Sequence, residues 1–156
     1  MATRLQVTFD AADPEALAAV WGELIGYVEQ DPPDGFDSWE AWAAANDVPR
    51  ERWGDYAARV DPDGVGPRLY FQRVPEPKTA KNRVHLDLSV GGGRGTPPEG
   101  SRALIAAAVE RAVAAGRDQG PRVRRADRVL GGPPGPRGQR VLHALTAALG
   151  PAAQTR

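Results

Sequence analysis

Leu5, Val7 and Phe9 alternate with Arg4, Gln6 and Thr8, and a period of two predicts a strand with one buried face. Asp13-Pro14-Glu15 follows. It supplies an N-cap, a proline suited to the first helical position and an acid for the first turn. Leu17, Val20, Trp21, Leu24 and Ile25 recur at helical spacing, with Gly26 placed to end the helix. A short strand is expected at 27–30, and Asp31-Pro32-Pro33-Asp34-Gly35 reads as a loop. Ser38 to Ala45 predicts a short helix, with a further turn at 48–53. Tyr56–Val60 and Arg68–Val74 predict two strands joined by the turn-rich stretch 61–67. After a polar link at 75–82, Val84, Leu86, Leu88 and Val90 share one face of a strand, and His85, Asp87 and Ser89 the other. Past a glycine- and proline-rich loop at 91–100, Leu104, Ile105, Ala108, Val109, Ala112 and Val113 predict a second amphipathic helix ending near Gly116.

The order is strand, helix, three strands, then strand and helix again: a repeat that breaks off in its second copy. Gly91-Gly92-Gly93-Arg94-Gly95 lacks the Lys-Ser/Thr of a phosphate loop and the spaced glycines of a dinucleotide site, so it is read as a loop only.

Composition adds a bound and a puzzle. A chain of 156 residues, 41% hydrophobic and without cysteine, suits one domain with its own core rather than a disordered polymer. No apolar run approaches the roughly 18 residues of a membrane span, and Met1–Arg4 does not open a signal peptide. A cytoplasmic location is the expectation. The formal charge of zero is a cancellation. Residues 117–156 carry eight arginines against Asp118 and Asp127, a balance of +6, which leaves −6 for residues 1–116. All ten aromatic residues lie at or before Phe71. A basic tail can contact nucleic acid. This one has neither interleaved aromatic residues for stacking nor an amphipathic helix through 131–138. The expected partner is therefore a small molecule, with no membrane and a homodimer left open; a nucleic-acid binder through the basic tail ranks as the third and least favoured reading.

Several stretches resemble the glyoxalase-like branch of the vicinal oxygen chelate superfamily. They are Leu5-Gln6-Val7-Thr8-Phe9-Asp10-Ala11-Ala12-Asp13-Pro14, Asp61-Pro62-Asp63-Gly64-Val65-Gly66-Pro67-Arg68-Leu69-Tyr70-Phe71-Gln72, Val74-Pro75-Glu76-Pro77-Lys78 and Asn82-Arg83-Val84-His85-Leu86-Asp87-Leu88. The resemblance implies an α+β fold of paired βαβββ modules, glyoxalase/bleomycin-resistance-like, whose sheets curl around a shared cup. Module one would span 3–76, and module two would begin at 82–116. Two activities are implied: a lyase or isomerase acting on a small oxygenated substrate, or a non-catalytic protein that binds or confers resistance to a small, aromatic molecule.

The same resemblance places a metal, when one is present, between the first and fourth strands of each module. Gln6, Gln72 and His85 stand at such positions. Two amides and one imidazole are a poor set for zinc, which favours His, Cys and carboxylates, so a divalent metal is left open as a cofactor. Candidate pocket residues are Gln6, Thr8, Tyr70, Gln72, His85, Asp87 and Trp39. Asp87 is two residues from His85 on the same face. It can orient the imidazole, act as a base, or make a structural contact. Trp39, Trp42 and Trp53 can roof a pocket or dock the segment between strands onto the sheet. No catalytic residue is singled out.

Members of this branch end in Asp-Pro-Glu-Gly-Asn followed by Glu-Phe-Cys, which this chain lacks. Reading the codons of Gly135-Pro136-Arg137-Gly138-Gln139-Arg140-Val141-Leu142-His143 from their second bases permits that string whole and in register. The same shift from Arg117 permits an aromatic, β-branched sequence of the kind a second module needs, and Leu145-Thr146 permits a stop codon. Residues 117–156 are therefore expected to be a one-base frameshift product, poorly ordered, with a helix at 141–149. The chain is expected to leave strand edges exposed.

Overall fold

The computed structural model describes residues 3–77, 79, 82–92, 95–118 and 142–143. Strand β1 (Gln6–Ala11) leads into helix α1 (Pro14–Ile25), then strand β2 (Val28–Glu29). Helix α2 (Trp39–Ala45) and a 3-10 turn (Arg50–Asp55) precede strands β3 (Tyr56–Val60) and β4 (Arg68–Arg73). Strand β5 (Asp87–Leu88), helix α3 (Pro98–Asp118) and strand β6 (Leu142–His143) complete the described elements. The first four strands form one sheet in the order β1-β4-β3-β2. β1 runs parallel to β4, while β3 is antiparallel to both β4 and β2. This is one βαβββ module, as the strand-helix-strand order predicts. β5 and α3 follow it in the chain.

Local chemistry sets the ends of α1. The Asp13 carboxylate accepts from the Ala16 amide at 3.2 Å, Pro14 occupies the first turn, and Gly26 takes the left-handed conformation at φ 75°. An L side chain there would be strained, so glycine ends the helix at low cost. Strand alternation then decides what α1 covers. Phe9, Ala11, Leu69 and Phe71 are buried and pack with Leu17, Ala18 and Trp21. Phe9 stacks on Phe71 at 5.0 Å between ring centres, and Trp21 tilts against Phe9 at 5.1 Å. On the far side of α1, Val20 and Leu24 meet Ala112, with Ile105, Val109 and Val113 of α3 packed around them.

Arg59 is buried on the covered face of the sheet and paired with Glu15 of α1. A side chain at position 22 would press on the Tyr27 carbonyl, 3.0 Å away, and on the Arg59 stem at 3.4 Å. Gly22 is thus what lets the arginine reach the helix.

Three expectations change. The strand foreseen over 84–90 is a ladder only at Asp87–Leu88, whose partner is Leu142–His143. Its alternation holds from Leu86 to Val90, since Leu86, Leu88 and Val90 pack towards α1 while Asp87 and Ser89 are exposed, but Val84 is exposed too. The second helix begins earlier, at Pro98, and continues through a buried Gly116, which serves as a packing position rather than a stop. Leu142 and His143, inside the stretch expected to be helical, are extended. The remainder of that stretch and residues 119–141 lie outside the described residues, as do 144–156.

Candidate functional site

Because α1 covers one face of the sheet, the residues between the buried ones line the other. Register pairs Gln6 with Arg68, Thr8 with Tyr70 and Ala58, and Asp10 with Gln72 and Tyr56. These side chains therefore stand together on the open face, with Val60 at the end of β3 and its partner Val28 on the outer strand β2 beside them.

The face is graded in charge. At one end Arg68 donates from Nε to the Gln30 side-chain oxygen at 2.7 Å and from Nη1 to that of Gln6 at 2.7 Å. Its guanidinium lies 4.7 Å from the Tyr70 ring centre. In the middle Tyr70 and Tyr56 stack at 5.9 Å with 16° between their planes. At the other end the Gln72 amide donates to Asp10 at 2.8 Å. Burial raises the Tyr70 hydroxyl above its ordinary 10.0; the neighbouring Tyr56 raises it further, and Arg68 opposes both. Tyr70 is therefore a neutral phenol at physiological pH, a hydrogen-bonding group and not a base.

Of the residues picked out from sequence, Gln6, Thr8, Tyr70 and Gln72 share this face. Trp39 adjoins it, since its indole N–H donates to the Gln30 carbonyl at 2.7 Å, on the residue whose side chain holds Arg68. Trp42 packs edge-on against Trp39 at 5.7 Å. Trp53 donates to the Val48 carbonyl at 2.9 Å, within its own segment. Asp87 belongs to the other sheet, where it pairs with His143, and His85 lies two residues before that strand, its Nε2 3.2 Å from the Asn82 carbonyl.

A divalent metal does not fit the donors. Gln6 and Gln72 lie on adjacent strands, but register separates them by four residues, about 13 Å at 3.3 Å per residue. The Gln6 oxygen already accepts from a guanidinium cation, which would repel a metal ion at that atom. Among the described residues no three of His, Asp or Glu converge on one point.

Arg68, Gln30, Tyr56 and Asp10 were not among the residues picked out from sequence. Arg68, Tyr70 and Gln72 alternate in one strand, so period two placed Arg68 beside two residues that were chosen. Gln30 carried no such signal, because only the pairing of β2 with β3 brings it to Arg68.

A shallow open depression of about 380 Å³ lies at the sheet's end, lined by Ala12, Asp55, Arg73, Val74 and Pro75. Arg73 is held there by Asp55 at 3.0 Å and by the carbonyls of Ala12 and Gly54, which makes it a tie between loops. Among the described residues no helix is long and apolar enough to cross a membrane.

No match was found among the curated proteins or the solved structures compared with the chain. Compared with models of protein families, residues 6–138 match the glyoxalase-like domain. With the β1-β4-β3-β2 sheet, its covering helix and a match over most of the sequence, the chain belongs to the glyoxalase-like domain family.

Proposed function

We propose that this protein binds a small aromatic molecule on the open face of its first sheet, by sequestration rather than by metal-dependent lyase or isomerase chemistry. The stacked pair Tyr56 and Tyr70, with Arg68 over one ring, carries this reading. Two half-exposed aromatic rings framed by amides offer a flat, desolvatable platform with hydrogen bonds at its margin. The lyase reading needs clustered donors, which the spacing of Gln6 from Gln72 does not supply, or a free base; Tyr70 is neutral, and the Asp10 carboxylate on this face already accepts from the Gln72 amide. Titrating 2-naphthol into isotope-labelled protein tests the reading. Saturable amide shifts confined to β1, β3 and β4 are expected, and shifts confined to α1 and α3, or none up to the solubility of the probe, would sink it.

The frame of the last 40 residues belongs to the same proposal. A second module completed from the alternative frame would place a second sheet opposite this face and close the cup. The recovered Asp-Pro-Glu-Gly-Asn string supports that reading. Sequencing the gene across the codons of Gly116 and Arg117 tests it, since codons that encode other residues in the alternative frame rule it out.

A further inference from the structure

We infer that the ligand of this face is an aromatic anion whose carboxylate is held by Arg68 while its ring lies against Tyr70 and Tyr56; this rests on the binding reading above. Five other arginines of the chain have evident partners. Arg52, Arg59, Arg73 and Arg111 each face a carboxylate: Asp55, Glu15, Asp55 and Glu23 respectively. Arg50 lies over the Trp53 ring. Arg68 is half-buried, and its hydrogen-bonding partners among the described residues are two neutral amide oxygens, from Gln6 and Gln30.

A guanidinium carries five N–H donors in a planar fork. Two of the five from Arg68 are used in these bonds, which fix the plane of the group without neutralising its charge. Such an arrangement positions a cation rather than pairing it. Amide oxygens orient the fork, and a carboxylate accepts two parallel bonds from what remains. Gln30 is held in turn through its backbone, whose carbonyl accepts the Trp39 indole N–H and whose amide donates to Ala58. The anchor is therefore braced by β2, β3 and the segment carrying α2.

The rest of the face sets the shape of the occupant. Tyr70 lies directly beside the guanidinium and Tyr56 beyond it, so an apolar planar body extending from the carboxylate would overlie both rings. At the far end stands the Asp10 carboxylate, four residues along the strand from Arg68's register partner Gln6 and so about 13 Å away. An anionic group docked in the reverse direction would meet that charge. The ligand enters carboxylate first towards Arg68.

The discriminating experiment compares 2-naphthoate with its neutral isostere 2-naphthamide on the full chain, using the amide shifts of β1 and β4 and the fluorescence of Trp39. Naphthoate should bind about ten-fold or more tightly than the amide, as a charge-assisted pair replaces a neutral one. Arg68→Gln should remove that preference, leaving both probes equally weak, while Arg68→Lys should retain part of it. A circular dichroism spectrum unchanged in Arg68→Gln separates lost binding from lost fold. If both probes bind equally to the unaltered chain and Arg68→Gln changes neither, the anion assignment is overturned and the aromatic face stands. If neither binds, the face itself is not the site and both readings fall.

Discussion

Single side chains do the most distinctive work in the turn between β3 and β4. The Asp61 carboxylate accepts from the backbone amides of Asp63, Val65 and Gly66, at 3.0, 3.1 and 2.6 Å. These bonds, with Gly66's the strongest influence and Asp63's next, hold the carboxyl below its ordinary 3.8 because they favour the charged form. A depressed folded value means stability that is present above the unfolded value and lost as pH falls through the folded one. In urea unfolding, Asp61→Asn should therefore be less stable than the unaltered chain at neutral pH. That difference should shrink below about pH 4 and vanish in stronger acid; a pH-independent difference would contradict the assignment. Gly66 belongs to the same turn, and a Cβ there would overlap the Tyr27 hydroxyl and come within 3.2 Å of Asp61. Gly66→Ala should cost about 1–3 kcal/mol, the usual range for forcing extra volume into a packed site, read from the same unfolding curves.

Helix α1 is the element on which the module turns, because it has sheet on one side and α3 on the other. Its N-cap should be measurable in isolation: Asp13→Ala removes the acceptor for the Ala16 amide and should lower stability by about 1 kcal/mol. Phe71, fully buried between Phe9 and the helix, should be far more costly. Phe71→Ala is expected to lose about 3–5 kcal/mol, a large share of the roughly 5–15 kcal/mol by which native domains are stable, and thermal melts would show it. A loss near that of Asp13→Ala would mean the sheet is not packed on α1 as described. The Arg59–Glu15 pair joins the same two layers, but the Glu15 side chain is half exposed, so solvent screening keeps its worth well below that of a fully buried pair.

For the whole molecule, the strand edges left without a partner among the described residues matter most. β1 is paired only with β4, so its other edge lies open among the described residues, and the two-residue β5 has only β6. Unpaired edges recruit further strands. The chain as it stands should self-associate in a concentration-dependent way by light scattering, and the chain completed from the alternative frame should be less prone to associate and melt higher. A cooperative, monomeric melt as stable as that of the completed chain would refute the proposal that the second module is cut short by a change of frame.

The local elements were legible in the sequence because their causes are local. Period two in 5–9 and 68–74, the Asp13-Pro14 start and the Gly26 stop each act within a few residues. Two elements were less legible for equally physical reasons. Gly116 reads as a stop but is a tolerated packing position inside a long helix, and the alternating 84–90 segment forms a ladder only where a partner strand reaches it. The sequence by itself determined which face of β1 and of β4 is apolar, and hence that Gln6, Thr8, Tyr70 and Gln72 turn away from α1; in β3 it did not, because the covered face there carries Arg59. Only the tertiary structure decided their distances. Strand register separates Gln6 from Gln72 and joins Arg68 to Gln6 and Gln30, because pairing between strands distant in the chain is fixed by the sheet as a whole and by no residue's own preference.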